Sequence, residues 1–236
     1  MTRPGTVGGL LTETLFPGRC FLCGGWLLLT SDHEVPVCNS CLRSVPVLHG
    51  PRCAKCGIEL ISEKQTCLRC RRADFMFDSN LSLFAYSGEA RRLLASLKFE
   101  GRRRLALFFA ARIASLLEAA RWSGPVIPVP PRPGRRSPDP AELVARALER
   151  RHGVNVRRLL ARSAGTQQKS LDLERRKMNL RGHVRLGPHI TAGMVPLQAV
   201  LLDDVFTTGA TLDACARVLR GAGCATVNAA TLVMEE

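Results

Sequence analysis

Hydrophobic and polar positions follow two different patterns along the 236 residues. From residue 79 onward, short apolar runs alternate with longer stretches in which apolar residues recur at helical spacing. Before that point, apolar residues are scattered among Gly, Pro and Cys, and no helical period runs through residues 20–70. The change of pattern predicts a small N-terminal domain over residues 1–72 and a larger domain over residues 79–236.

The larger domain is predicted to alternate strands with helices. We expect strands at residues 81–86, 126–129, 154–160, 199–202 and 225–233. We expect helices at residues 89–98, 102–121, 141–151 and 211–219. Residues 162–185 are polar and basic and show no clear period. The alternation is typical of an α/β fold with a mostly parallel sheet.

The sequence gives no clear indication of a signal peptide or a transmembrane helix. Arg3 precedes a weak apolar run that ends at Glu13, which makes a poor signal peptide. No stretch of 18 uninterrupted apolar residues occurs, since the nearest, residues 105–120, is broken by Arg112. We therefore expect no membrane insertion and a cytoplasmic location.

Eight of the ten cysteines form four C-x-x-C pairs, all before residue 71. The pairs are Cys20/Cys23, Cys38/Cys41, Cys53/Cys56 and Cys67/Cys70. Disulfides are rare in a reducing cytoplasm, so this spacing favours metal binding. Two such pairs make one tetrahedral thiolate site with Zn–S distances of about 2.3 Å, so the four pairs predict two zinc ions.

Two arrangements of the cysteine pairs are open. In series, the first two pairs bind one ion and the last two bind the other. In a cross-braced arrangement, the first pair joins the third and the second joins the fourth. Four thiolates leave zinc no open coordination position, so we expect structural rather than catalytic ions. Cys215 and Cys224 lie outside the pattern and are expected to be small buried apolar residues.

The formal net charge is +14, and it is unevenly distributed. Residues 79–236 hold 25 Lys and Arg against 13 Asp and Glu, whereas residues 1–78 hold nine against seven. A basic larger domain favours an anionic ligand or partner. Arg supplies 29 of the 34 basic residues, a bias that an Arg-rich genome would also produce, so charge adds weak support.

The stretch 200–212 carries the most informative chemistry. It begins as an apolar strand, and Asp203 and Asp204 follow at the carboxyl edge, where open α/β sheets bind ligands. A loop and the start of a helix come next, with backbone N–H groups that suit a phosphate. These residues are Thr207, Thr208, Gly209, Ala210 and Thr211. Because two adjacent carboxylates can accept hydrogen bonds from vicinal hydroxyls, the stretch predicts a sugar-phosphate site.

Other nucleotide motifs do not fit. No Lys follows a Gly anywhere in the chain, which excludes a Walker A loop. Gly221 and Gly223 follow a predicted helix instead of opening one, and this is typical of a helix C-terminus.

The acidic pair followed by T-T-G-A-T closely resembles the phosphoribosyl pyrophosphate (PRPP) signature of type I phosphoribosyltransferases. The chain as a whole resembles the ComF family, in which a zinc-ribbon segment precedes a phosphoribosyltransferase-like domain. Matching positions occur in order at Leu15-Phe16-Pro17, Tyr86-Ser87-Gly88, Arg91-Arg92, Lys98-Phe99, Ile127-Pro128-Val129-Pro130, Gln168, Leu171, Arg176 and Asn179. The resemblance implies a type I phosphoribosyltransferase-like fold preceded by a small double zinc ribbon.

The resemblance also implies roles for individual residues. Asp203 and Asp204 would be the catalytic pair and hold the ribose hydroxyls, residues 207–211 would hold the 5-phosphate, and Mg²⁺ would accompany PRPP. Arg132 and Arg176 are candidates for the pyrophosphate side, with a solvated surface role equally open for both. Lys98 is expected at the surface.

One position departs from the family. After the proline-rich loop the family often has R-G-F-N-Q, whereas residues 136–140 here are R-S-P-D-P. That loop would face the pyrophosphate end of the ligand. In this chain Asp139 is expected to cap the following helix, with Pro140 in its first turn.

Two function classes follow from these observations. The first is a phosphoribosyltransferase, or a descendant that still binds PRPP or a ribose 5-phosphate ligand, linked by resemblance to DNA uptake in natural competence. The alternative is a catalytically inactive protein of the DNA-uptake machinery that binds single-stranded DNA or docks other uptake proteins.

Overall fold

A central sheet and its flanking helices organise the part of the chain that the computed structural model describes, residues 19–27, 36–61, 65–100, 103–134, 138–163 and 184–235. In chain order the strands are β1 (Ser79–Ala85), β2 (Val126–Pro128), β3 (Leu160–Arg162), β4 (Val184–Leu186), β5 (Gln198–Phe206) and β6 (Thr226–Met234). The helices are α1 (Asn39–Ser44), α2 (Leu68–Arg72), α3 (Gly88–Glu100), α4 (Arg103–Ala120), α5 (Pro140–His152) and α6 (Ala210–Gly221).

The main sheet contains four strands in the order β1-β6-β5-β2. Every neighbouring pair is parallel, and β3 and β4 form a separate antiparallel pair. The predicted α/β fold with a mostly parallel sheet is thus confirmed. Parallel strands put their carboxyl ends at one edge, and this edge forms the candidate site.

Helices cover both faces of the sheet. Along β5, Val200 and Leu202 pack into a core with α3, α4 and α5, whereas Ala199 and Leu201 pack into a second core with α6. This alternation follows from the period of two along a strand. Because both faces are covered, the strand has an almost continuous apolar run, which is typical of parallel sheets.

The two halves of the cysteine-rich segment belong to these same cores. Leu22 and Val45 join the core on the α3–α5 side, and the Nη2 of Arg92 donates a hydrogen bond to the carbonyl of Leu22 at 3.0 Å. Cys53 and Cys56 join the core on the α6 side. The cysteine-rich segment therefore lies against the α/β domain on both sides of the sheet.

Gly57 shows how closely the second half of the cysteine-rich segment packs against β1. Its φ is +77°, and a Cβ at this position would lie 2.5 Å from the backbone oxygen of Asn80. The side-chain amide nitrogen Nδ2 of Asn80 in turn donates a hydrogen bond to the carbonyl of Cys56 at 3.0 Å. Only glycine allows both the left-handed conformation and this approach to β1.

Several sequence predictions are confirmed and others are corrected. Asp139 caps α5 by accepting from the N–H groups of Ala141 and Glu142, with Pro140 at the first position. Cys215 and Cys224 are both buried. Among the described residues, no helix has the length and apolar character needed to cross a bilayer.

The predicted strand at residues 154–160 is wrong over most of its length. Only Val156 pairs, through a single bridge to Val126, and β3 begins at Leu160. Because β2 has three residues, a neighbouring strand on its other edge can form few hydrogen bonds with it. The strand predicted to end at Leu202 continues to Phe206, since β6 pairs with it that far. Strand β4 begins at Val184, near the end of the region where no period was visible.

Candidate ligand cavity and metal centres

The cysteines form two separate quartets. Cys20, Cys23, Cys38 and Cys41 gather in one, and Cys53, Cys56, Cys67 and Cys70 in the other, with the sulfurs of each quartet within 4.8 Å of one another. The pairs are thus combined in series, and the cross-braced alternative is excluded. We name the quartet-bearing segments the first ribbon (residues 20–41) and the second ribbon (residues 53–70).

The sulfur geometry fits zinc. Tetrahedral coordination at a Zn–S distance of about 2.3 Å separates the sulfurs by about 3.8 Å. The Sγ atoms of Cys23 and Cys38 are 3.9 Å apart, and those of Cys56 and Cys67 are 3.7 Å apart. These distances are far too long for the bond of about 2.05 Å in a disulfide. The two sites therefore indicate two structural zinc ions.

Backbone N–H groups support the sulfurs in the same way in both ribbons. The N–H of Cys38 donates to the Sγ of Cys20 at 3.3 Å, and the N–H of Cys67 donates to the Sγ of Cys53 at 3.3 Å. Such bonds stabilise thiolates and orient them toward a metal. Burial opposes ionisation of Cys20, but the backbone donors outweigh it and lower the pKa of this thiol to about 6.

A cavity of about 660 Å³ opens at the carboxyl edge of the main sheet. Its walls come from the ends of all four parallel strands and from α3 and the end of β3. The predicted site residues among its lining are Asp203, Asp204, Thr207, Thr211 and Arg132. The other lining residues that carry charge or a hydroxyl are Tyr86, Lys98, Asp139, Arg162 and Glu235.

Asp203 and Asp204 reach the cavity because strand pairing ends on one side of β5. The last residue of β5 paired with β2 is Leu202, whose carbonyl accepts from the N–H of Val129 at 2.9 Å. Beyond it, the chain that follows β2 turns away as the proline-rich segment 130–134, and the next two residues of β5 border open space. β6 still pairs with β5 through Phe206 and holds the acidic pair in place.

The two carboxyl groups influence each other. Burial, and then the charge of Asp204, raise the pKa of Asp203 well above its ordinary value. The N–H of Asp204 donates to the Oδ1 of Asp203 at 2.8 Å and partly offsets this effect. A carboxyl group with a raised pKa is available as a hydrogen-bond donor as well as an acceptor.

The loop at residues 207–209 leads from β5 into α6. Gly209 is the N-cap with φ +78°, and a Cβ there would lie 3.1 Å from Cζ of Phe206. No side chain caps the helix, although the Oγ1 of Thr208 accepts from the N–H of Ala210 at 3.4 Å. The positive end of the helix dipole and uncapped first-turn N–H groups make this position suitable for an anion.

Three basic side chains line the cavity together with the two acids. Arg132 lies on the exposed proline-rich segment, and Lys98 of α3 is half-exposed and lines the cavity. Arg162 ends β3, and its Nε and Nη2 atoms are buried without a hydrogen-bond partner among the described residues. The second pyrophosphate-side candidate, Arg176, lies outside the described residues, as do Gln168, Leu171, Asn179 and the lead-in at 15–17.

The sequence analysis did not assign three polar cavity residues that lie at strand ends. Tyr86 directly follows β1, Glu235 directly follows β6, and Arg162 is the last residue of β3. The N–H of Tyr86 donates to the carbonyl of Met234 at 2.7 Å, and that of Glu235 donates to the carbonyl of Phe206 at 2.9 Å. Tyr86 and Glu235 follow parallel neighbours, so their meeting at one edge follows once the strand order is known, whereas Arg162 ends a strand of the separate antiparallel pair and only the tertiary packing brings it to the cavity.

The sequence is similar over most of its length to proteins of known name. Residues 11–71 match the model of the double zinc ribbon domain family. Competence protein F of Haemophilus influenzae is 29% identical over 220 residues, 88% of this chain and 93% of that protein. Competence protein ComFC of Streptococcus pneumoniae is 27% identical over 237 residues, 91% of this chain and 99% of that protein.

The chain is similar to these competence proteins along 88–91% of its length, which confirms the predicted resemblance to the ComF family. A further relative is DNA utilization protein YhgH of Salmonella typhimurium, 28% identical over 89% of this chain and 94% of that protein. Among solved structures, hypoxanthine-guanine phosphoribosyl transferase of L. donovani is 15% identical, with a TM-score of 0.34 over 60% of this chain and 71% of that one. In this chain, cysteines of both quartets pack into the same two cores as the α/β domain that carries the cavity.

Proposed function

We propose that the cavity binds PRPP or a ribose 5-phosphate ligand together with Mg²⁺. The observation that carries the proposal is the meeting of an acidic pair with an uncapped helix N-terminus at one edge of a parallel sheet. Asp203 and Asp204 accept hydrogen bonds from the ribose hydroxyls. Residues 207–211 hold the 5-phosphate with backbone N–H groups and threonine hydroxyls.

The basic residues suit the remaining charge of PRPP. Arg132, Lys98 and Arg162 line the cavity and can neutralise a pyrophosphate group. Arg176 is a further candidate by resemblance to the family. The Asp139 carboxyl both caps α5 and lines the cavity, so it keeps the proline-rich loop next to that group.

The proposed magnesium depends on the ligand for most of its coordination. Within the described ranges, only the two cysteine quartets bring three or more candidate ligand atoms within 4.8 Å of one another. Mg²⁺ commonly binds through one or two carboxylates plus substrate phosphate oxygens and water, which fits the carboxylates present here. When bound with PRPP, it supplies charge neutralisation to the pyrophosphate.

The proposed reaction is phosphoribosyl transfer. The bond from the anomeric carbon to pyrophosphate breaks, pyrophosphate leaves with the electron pair, and a nucleophilic acceptor forms the new bond to that carbon. The residues of the chain act by holding the sugar and by neutralising charge, since positioning and fixed dipoles lower the barrier without covalent chemistry. The names of the relatives support a role of this activity in DNA utilization and competence.

Calorimetric titration tests the ligand. PRPP with Mg²⁺, and ribose 5-phosphate, are titrated into the zinc-loaded wild type and into the double variant Asp203→Asn, Asp204→Asn. We expect saturable binding that the double variant loses while zinc content stays at two ions per chain. Glu118→Gln, which changes an exposed carboxylate of α4, is the matched control and should bind as wild type does. A wild type that binds neither ligand would overturn the proposal.

Release of pyrophosphate tests turnover separately. The protein is incubated with PRPP, Mg²⁺ and each of a panel of nucleobases, and free pyrophosphate is measured. Release that depends on one base identifies the acceptor. Binding of PRPP without release under any condition supports the descendant that keeps the ligand and has lost the reaction.

A second candidate function is binding of single-stranded DNA by the first ribbon. Trp26 is 57% exposed, and the guanidinium carbon of Arg19 lies 4.1 Å from the centroid of its ring. An exposed aromatic ring next to a cation suits stacking on a base and contact with a phosphate. The net charge of +14 favours the same partner.

Fluorescence anisotropy with a labelled oligothymidylate tests this candidate over a range of salt. We expect affinity to fall steeply with salt and Trp26→Ala to weaken binding by about fivefold or more. Phe99→Ala removes another exposed aromatic, outside the ribbons, and is the control. Equal affinity of wild type and Trp26→Ala would rule out the first ribbon as the DNA surface, and a docking role for other uptake proteins would then be the remaining alternative.

A further inference from the structure

We propose that the second zinc ribbon sets the conformation of the phosphate loop (residues 207–211) through Arg69, so that this metal site supports ligand binding from outside the cavity. The affinity part of this inference rests on the proposed function above. The structural part concerns the loop in the absence of ligand and can be measured by itself. Arg69 is a positioning residue, because it contacts the backbone of the loop and does not line the cavity.

Arg69 joins the metal site to the loop directly. It lies in α2 between two of the metal-ligating cysteines, and its Nη1 donates to the carbonyl of Thr207 at 2.9 Å. Its guanidinium carbon lies 5.5 Å from the centroid of the Phe206 ring. One side chain therefore contacts the last residue of β5 and the first residue of the loop.

The surrounding protein holds the side chain of Arg69 in place. Its Nη2 atom is buried and has no hydrogen-bond partner among the described residues. A buried guanidinium nitrogen without a partner is unfavourable, so the surrounding structure must hold the side chain there. The helix that carries it has five residues, too few to persist alone in water. Cys67 at its N-cap and Cys70 within it join it to the metal.

The chain that leaves the second ribbon also supports the loop. A Cβ on Gly209 would lie 3.3 Å from Cε1 of Phe75, so this ring packs under the turn. The N–H of Met76 donates to the Oδ1 of Asp213 at 2.9 Å, and the Nη2 of Arg217 donates to the carbonyl of Asp74 at 2.7 Å. The first two turns of α6 are thus attached to residues 74–76.

The first ribbon provides the contrast. It contacts the α/β domain on the α3 side of the sheet, through the bond from Arg92 to the carbonyl of Leu22 and through the packing of Leu22 into that core. The phosphate loop, by contrast, is contacted by Arg69 of the second ribbon and by Phe75 in the chain that leaves it. Loss of zinc from the two ribbons should therefore have different consequences for the loop.

The expected physical effect is preorganisation. A loop already ordered by Arg69 and Phe75 binds a phosphate without first being ordered, whereas a loop released from them loses affinity by the free energy of that ordering. If the loop loses the ordering that the hydrogen bond from Arg69 provides, we expect its affinity for a phosphorylated ligand to fall about tenfold.

Arg69→Ala tests the contact, with Arg71→Ala as the matched control. Arg71 is an exposed residue of the same helix, with no described contact to the loop. Hydrogen exchange of the amides at 207–211 is measured without ligand, and ribose 5-phosphate and PRPP affinities are measured by calorimetry. We expect Arg69→Ala to retain two zinc ions, to exchange about tenfold faster in the loop and to bind about tenfold more weakly. Arg71→Ala should match wild type in every measurement.

Unchanged loop exchange in zinc-loaded Arg69→Ala would overturn the inference. A wild type that binds no phosphorylated ligand counts against the proposed function instead, and the exchange data still decide the role of Arg69. If Arg69→Ala fails to fold, Arg69→Lys keeps the charge and loses the planar donor geometry. We expect this variant to accelerate loop exchange by a smaller factor, and exchange equal to wild type would again overturn the inference.

Selective loss of each metal gives an independent test. Cys70→Ser disrupts the second quartet and Cys41→Ser the first. We expect Cys70→Ser, and not Cys41→Ser, to accelerate exchange at residues 207–211. Equal acceleration by both variants would show a general loss of folding and contradict the specific coupling.

Discussion

The N–H of Asp204 donates a 2.8 Å hydrogen bond to the Oδ1 of Asp203, its neighbour in sequence. The two acids of the signature are therefore not equivalent. The carboxyl of Asp203 is turned back onto the backbone, and burial and the charge of Asp204 raise its pKa. The two adjacent carboxylates repel each other when both are ionised, which leads to the first prediction.

Asp203→Asn should stabilise the ligand-free protein at neutral and alkaline pH. The raised pKa means that ionisation of Asp203 is harder in the folded chain than in the unfolded one. The stability of wild type is therefore highest below the ordinary Asp pKa of about 3.9, and falls as pH rises from there through the raised value. We expect the variant to gain roughly 0.5–2 kcal/mol in the free energy of unfolding at pH 7–8.

Urea unfolding of zinc-loaded protein at several pH values measures this difference. Wild type and Asp203→Asn should converge near pH 4 and separate as the pH increases. Asp78→Asn is a useful comparison, because Asp78 is paired with Arg220 at 2.7 Å and its loss should destabilise. A gap between wild type and Asp203→Asn that does not depend on pH would contradict the prediction.

Gly209→Ala should damage both stability and ligand binding. The residue has φ +78°, and the added Cβ would lie 3.1 Å from Phe206 and 3.3 Å from Phe75. We expect a loss of about 1–3 kcal/mol in the free energy of unfolding and weaker PRPP binding. Gly221→Ala is the control, since a Cβ there meets nothing within 4 Å at the end of α6. The control should leave stability equal or slightly higher, and a Gly209→Ala variant as stable as wild type would count against the described loop conformation.

The first ribbon should release zinc before the second. Cys23 is exposed, whereas Cys56 is fully buried and its carbonyl accepts from Asn80 on β1. Chelator titration followed with a zinc indicator should show two phases, the faster one abolished in Cys41→Ser and the slower one in Cys70→Ser. Release in a single phase would mean that the two sites open together.

Arg162→Met should stabilise the ligand-free protein while weakening binding of anions. The Nε and Nη2 atoms of Arg162 are buried without a partner among the described residues, and a buried unpaired cation is costly. We expect a gain of about 1 kcal/mol in the free energy of unfolding and a loss of about tenfold or more in PRPP affinity. Arg185→Met on β4 is the exposed control. Thermal unfolding and calorimetry together distinguish the two effects, and a destabilised Arg162→Met would show that the side chain is already satisfied.

Local patterns were enough to predict most elements of the fold. Helical spacing placed α3, α4, α5 and α6 within one or two residues of their bounds, and Asp139 with Pro140 marked the start of α5. These features depend on neighbours within a few turns, so a single sequence contains them. The strand ends were less well predicted, since pairing with β6 extends β5 to Phe206.

The residues of the candidate site also fall into two groups, those that local sequence patterns predicted and those that only the tertiary structure revealed. The sequence alone identified the acidic pair, the threonine loop and eight metal ligands, because each of these groups is contiguous or regularly spaced and its chemistry is local. The tertiary structure decided which cysteine pairs share an ion, brought Lys98, Arg162, Tyr86 and Glu235 to the cavity, and placed Arg69 in contact with the phosphate loop. Those contacts join residues far apart in the chain, and only the parallel order of the strands and the packing of the ribbons on the sheet bring them into reach of one another.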